Sequence, residues 1–154
     1  SRGIRRGIMI HLEHSIIIKS NIEKVYNIAS KIEYFPYFMP HVKTSRIIKK
    51  QGNKREVEMS AVVNGIKSHW ISASTTEKNK KITYKQIKGV CKVMGGEWRF
   101  NKIPEGTSIT LIHNFDVGFS IIGKLIGGIV IKKWVNKYSL LTLGAIKERA
   151  ERRK

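Results

Sequence analysis

Trp70-Ile71-Ser72-Ala73-Ser74 reads as a strand with two unlike faces. Side chains alternate along a strand, so Trp70, Ser72 and Ser74 share one face while Lys67, His69 and Ile71 share the other. The first face sets an indole beside two hydroxyls. Upstream, Glu33-Tyr34-Phe35-Pro36-Tyr37-Phe38 gathers aromatic side chains around a proline. With a long amphipathic segment closing the chain, these stretches imply a cup with an apolar interior.

The rest of the chain supplies the walls. Ile10 to Ile18 reads as a strand, with Ile10, Leu12, His14, Ile16 and Ile18 on one face. Ser20-Asn21 then offers an N-cap, Glu23 suits a first helical turn, and Val25, Ile28 and Ala29 have the buried spacing of a short helix. A second helical piece runs from about Lys31 into Pro36, and Pro40 ends it. Beyond His41 the turns Gln51-Gly52-Asn53, Asn64-Gly65, Lys78-Asn79-Lys80 and Pro104-Glu105-Gly106 divide a meander. Its strands span 46–50, 55–63, 66–76, 82–88, 92–100 and 107–117. Asn64-Gly65 is the strongest hairpin signal, because both residues tolerate positive φ. Met94, Trp98 and Phe100 share one face, opposite Glu97 and Arg99.

The segment 122–153 is the long helix candidate. Ile131, Val135, Tyr138, Leu141 and Ala145 form a stripe that Trp134 and Leu143 widen, and Gly127-Gly128 shortens or kinks its start. Such a stripe must bury against the sheet.

Length and composition set the bounds. At 154 residues the chain is one domain by the usual prior, and 41% apolar residues argue against global disorder. The expected division is a basic N-terminal extension over 1–9 and a single domain over 10–154. Cys91, the single cysteine, fits a reducing interior and a small buried hydrophobe. No apolar core follows the basic N-terminus, so a secretory signal is not expected. The apolar stretch Phe119 to Val135 is broken by Lys124, Lys132 and Lys133, too short and charged to span a bilayer. A cytoplasmic protein is the expectation.

Thirty Lys and Arg against 11 Asp and Glu give a net charge of +19. The excess lies at Arg2/Arg5/Arg6, Lys49/Lys50/Lys54/Arg55, Lys78/Lys80/Lys81, Lys132/Lys133 and Lys147 to Lys154. Such a field attracts nucleic acid or anionic lipid. No nucleic-acid motif accompanies it, so sequence-specific binding is not expected, and adventitious attraction or peripheral contact with an anionic membrane is the better reading.

The chemistry-bearing residues are sparse. His113 and Asp116, three apart on one strand, fall on opposite faces. His41 follows Pro40 near an expected cavity mouth, and His69 is placed outside. No acid–base pair assembles, and nothing calls for a metal or an organic cofactor.

One strand, two short helices, an antiparallel meander and a terminal helix is the order of a helix-grip fold. In His14-Ser15-Ile16-Ile17-Ile18, Val25-Tyr26, Glu33-Tyr34-Phe35-Pro36, Trp70-Ile71-Ser72, Gly96-Glu97-Trp98-Arg99-Phe100 and Gly106-Thr107 the chain resembles the polyketide cyclase/dehydrase branch of the START-like superfamily. The likeness covers about residues 10–150. The chain is also similar to ubiquinone-binding START proteins. The resemblance implies an α+β fold in which about seven curved antiparallel strands wrap a long C-terminal helix over an apolar cavity. It also implies binding of a hydrophobic, polyketide-like or aromatic molecule. Phe35, Phe38, Met39, Trp70 and Trp98 would give apolar contact, and Ser72, Ser74 and Tyr84 or Gln86 hydrogen bonds.

Polyketide cyclase/dehydrase activity is the catalytic implication, with Ser72 the candidate catalytic residue. Similar cyclases continue Trp70-Ile71-Ser72 into arginines that polarise a ketone, whereas here Ala73 and Ser74 follow. A tyrosine after the second helix is likewise replaced by Val42. The alternative is a lipid or isoprenoid-quinone carrier at an anionic membrane surface, with Phe119 to Ile126 gating the cavity.

Overall fold

In the computed structural model, which describes residues 9–118 and 127–152, strand β1 (Ile10–Ile18) leads into α1 (Ile22–Ser30). Asn21 caps α1, its side chain accepting a hydrogen bond from the Lys24 backbone N–H at 2.8 Å. A 3₁₀ turn (Ile32–Tyr34) and the one-turn α2 (Phe35–Phe38) follow. Pro36 sits in the first turn of α2, where a missing N–H costs nothing, so the helical piece continues two residues past it.

The meander then runs β2 (Val42–Gln51), β3 (Lys54–Val63), β4 (Ile66–Glu77), β5 (Lys81–Lys88), β6 (Val93–Ile103) and β7 (Gly106–Asp116). Together with β1 they make one antiparallel sheet of seven strands, ordered β1-β7-β6-β5-β4-β3-β2. Strand β2 starts four residues before its expected position because Val42 and Ser45 already face the core. Asn64 and Gly65 both take positive φ, 52° and 76°, so the β3–β4 hairpin closes in two residues.

Helix α3 (Gly128–Glu151) lies across the concave face, and its 24 residues give a rod of about 36 Å. Its buried face is Val135, Tyr138, Ser139, Thr142, Leu143, Ile146 and Ala150. Leu141, expected in the apolar stripe, is 37% exposed, and Ala145 only flanks the core. The helix is rotated from the apolar reading because Ser139 and Thr142 are buried against polar partners: Thr142 Oγ1 meets Nε2 of His41 at 2.8 Å, and Ser139 Oγ meets Nε2 of His113 at 3.0 Å. A buried polar group is tolerated when it is paired. No helix among the described residues is long and apolar enough to cross a membrane. The basic residues Arg2, Arg5, Arg6 and Lys154, and the gating segment Phe119 to Ile126, lie outside the described residues.

Candidate functional site: a cavity under the terminal helix

The sheet and α3 do not meet everywhere. Between them lies a cavity of about 130 Å³, lined by β3, β4, β5, β6 and β7 on one side and by Trp134, Val135 and Tyr138 of α3 on the other. An apolar hole of about 150 Å³ takes one benzene ring, so the space is ring-sized.

Strand parity builds most of the wall. Val57 and Met59 of β3, Trp70, Ser72 and Ser74 of β4, Ile82 and Tyr84 of β5, and Trp98 of β6 all point inward. Trp70 meets Trp134 and Tyr138 edge-on, with ring centroids 6.0 and 5.5 Å apart, and Trp134 stacks on Tyr138 at 5.4 Å. All three tryptophans of the chain therefore line the cavity. Ser72 and Ser74 are buried there, and neither hydroxyl bonds to another described side chain or backbone group.

Of the residues singled out from the sequence, Phe35, Trp70, Ser72, Ser74, Tyr84, Gln86 and Trp98 come together in this lining. Phe38 and Met39 do not. Met39 is fully buried in the core beside Val42, and Phe38 turns towards the end of α3, where the Arg149 guanidinium lies 5.1 Å over its ring. At the β5–β6 turn Val90 both lines the cavity and is 64% exposed. Gln86 lines the wall, but its amide N–H₂ donates to the Cys91 carbonyl at 2.8 Å and so clamps that turn. Cys91 itself is buried, and burial pushes its thiol up to about 11, an unreactive state.

Two residues that sequence reasoning set aside also face the cavity. One is His113 on β7. Ser139 Oγ already donates to the Val135 carbonyl at 2.7 Å, so His113 Nε2–H donates to Ser139 and Nδ1 accepts from the Tyr84 hydroxyl. Burial holds His113 down to about 4, so the ring is neutral, and burial pushes the Tyr84 phenol well above its usual value. Asp116, expected on the opposite face of the strand, makes no hydrogen bond with His113 and accepts from the Gly118 N–H at 3.0 Å. The other is Arg55, read from the sequence only as part of the run of positive charge Lys49/Lys50/Lys54/Arg55. Its parity with Val57, Met59, Ala61 and Val63 was the available signal.

Register explains the arrangement. Arg55, Ser74, Tyr84, Gly96 and His113 are successive cross-strand partners from β3 to β7. They form one row across the floor, polar at every position but Gly96. His41 is buried outside this row, pulled below its ordinary pKa by burial and then by Lys43, and its ring stands edge-on to Tyr138. His69 is on the convex side, bonded to Glu58 at 2.8 Å. Among the described residues no group of His, Cys, Asp and Glu is arranged to hold a metal ion.

The profile of the family described as "Polyketide cyclase / dehydrase and lipid transport" matches residues 18–133. No curated protein matches the sequence. Among solved structures, the Zhui aromatase/cyclase of Streptomyces sp. R1128 superposes with a TM-score of 0.85 at 22% identity, covering 95% of this chain and 96% of that one. The di-domain ARO/CYC BexL from the BE-7585A biosynthetic pathway gives 0.84 at 20% identity, over 95% of this chain and 51% of that one. A START superfamily protein from Mycobacterium smegmatis gives 0.73 at 17%, over 93% and 97%. At these identities the likeness establishes the helix-grip, START-like fold.

Proposed function

The chain belongs to the polyketide cyclase/dehydrase and lipid transport family, and from that premise we propose that it binds a hydrophobic, ring-containing small molecule, polyketide-like or aromatic, in the cavity under α3. The observation that carries this reading is the ring-sized apolar space into which the unpaired Ser72 and Ser74 hydroxyls face. An apolar pocket with a few placed polar groups orients a ligand as well as holding it.

Binding is favoured over acid–base turnover by the state of the Tyr84–His113 pair. Passing the Tyr84 proton to His113 would create two buried charges, against the direction of both pKa shifts. The pair instead stands as a neutral anchor. Its phenol proton is committed to His113, which leaves the phenol oxygen free to accept a hydrogen bond from a ligand hydroxyl.

The test uses the protein's own reporters. Because all three tryptophans line the cavity, ligand binding must change intrinsic fluorescence, and native mass spectrometry gives the stoichiometry. Polyketide-like aromatics should bind one to one and compete with each other. Preferential binding of quinones or acyl lipids would favour the carrier reading, which the charge of +19 supports. No quenching, shift or mass adduct with any of these would sink the pocket role.

A further inference from the structure

Arg55 carries the only formal charge among the described residues that line the cavity. It stands on β3 directly across from Ser74, at the end of the polar row opposite His113. One of its terminal nitrogens donates to the Ser30 carbonyl at 2.7 Å, at the C-terminal end of α1. That bond uses one of five N–H donors, and Nε is buried without a partner. Glu33 and Tyr26 are near enough to favour the charged form but make no ion pair with it among the described residues, while burial opposes that form. A clamp on α1 would explain the Ser30 contact. It would not explain an incompletely paired guanidinium turned into an apolar chamber, where an unmatched charge is costly until an anion meets it.

We propose that Arg55, with Ser74 beside it, is an anion-binding site, and that the ligand is an apolar acid whose carboxylate docks at this end of the row. Register sets the Arg55 guanidinium and the unpaired Ser74 hydroxyl in one cross-strand pair. A planar guanidinium matches a carboxylate with two parallel N–H donors. The ring of the acid then lies over Ser72 and Tyr84 against Trp70 and Trp98. This inference rests on the binding reading above and narrows it to ligands of one charge type.

The experiment compares ring acids with their methyl esters, benzoic and 2-naphthoic acid against methyl benzoate and methyl 2-naphthoate, by calorimetry at pH 7.5. The wild-type protein should prefer the acid by about tenfold or more, the range of a charge-assisted hydrogen bond. Arg55→Gln should abolish that preference, bringing acid and ester affinities to within about twofold of each other, and Arg55→Lys should keep part of it. Equal wild-type affinity for acid and ester would overturn the anion site and leave the pocket reading intact. An undiminished preference in a folded Arg55→Gln would overturn it too. Should Arg55→Gln fail to fold for want of its Ser30 contact, the wild-type acid–ester ratio still decides. Failure of acids and esters alike to bind would remove both readings.

Discussion

Tyr84 donates its phenol proton to Nδ1 of His113 from two strands away, over the bare backbone of Gly96. Gly96 is the register partner of both residues, and a Cβ there would stand 1.9 Å from the Ile112 carbonyl oxygen and 3.0 Å from the Tyr84 ring. The glycine therefore lets β6 and β7 close up and lets the tyrosine lean across. The ring centroids of Tyr84 and His113 are 5.7 Å apart as a result.

Gly96→Ala should therefore act at a distance from the residue itself. The added methyl meets backbone as well as a ring, and strand separation rather than a rotamer change must relieve it. We expect a loss of about 1–3 kcal/mol, the range for overpacking a core, measured by urea unfolding. Histidine NMR should show His113 titrating nearer its ordinary value once separation of the strands lessens its burial. An unaltered unfolding midpoint would contradict the close approach.

Acid should weaken the fold through His113. Its folded pKa, about 4, lies below the unfolded value of about 6.5, so the unfolded chain takes up the proton first. The stabilising effect of the neutral ring is full above pH 6.5 and is lost as pH falls towards 4. At 1.36 kcal/mol per unit the loss approaches about 3 kcal/mol. His41 is shifted in the same direction and adds to the slope. His113→Gln should remove the His113 share, leaving a shallower dependence of stability on pH between 4 and 6.5. A mutant slope as steep as that of the wild type would rule this out.

Ser72 and Trp70 should separate by size of effect. Losing one neutral hydrogen bond costs about 0.5–1.5 kcal/mol, so Ser72→Ala should weaken binding of an aromatic ligand by no more than about tenfold. Trp70→Ala removes a large apolar surface from the Trp134–Tyr138 cluster and should cost more, in affinity and stability alike. A catalytic Ser72 would look different, with turnover of a linear polyketide mimic falling about a hundredfold at unchanged affinity.

The charge of +19 makes a separate prediction about membranes. If it serves an anionic surface, binding to vesicles should rise with anionic lipid content and fall steeply with salt. Binding indifferent to both would exclude the carrier role. Equal, salt-sensitive binding to arbitrary DNA would mark the attraction as non-specific.

Local chemistry settled much of this protein before any long-range contact was known. The cap at Asn21, the positive-φ pair Asn64-Gly65 and the parity of Trp70, Ser72 and Ser74 each depend on residues a few positions apart, and each sits in the structure where its own neighbours put it. Periodicity reports whether a side chain is apolar, however, and not which partner will satisfy a polar one. Leu141 looked like core and is exposed, while Ser139 and Thr142 are buried because histidines from β7 and from the start of the meander reach them. The same limit hid Arg55 and His113. Their parity was visible, but burial of a charged or titratable group is decided by what stands across the sheet. Only the register of five strands puts Arg55, Ser74, Tyr84, Gly96 and His113 in one row. Residues 55 and 113 become the two ends of one row because strands pair through hydrogen bonds between distant backbones, a relationship that no local spacing encodes.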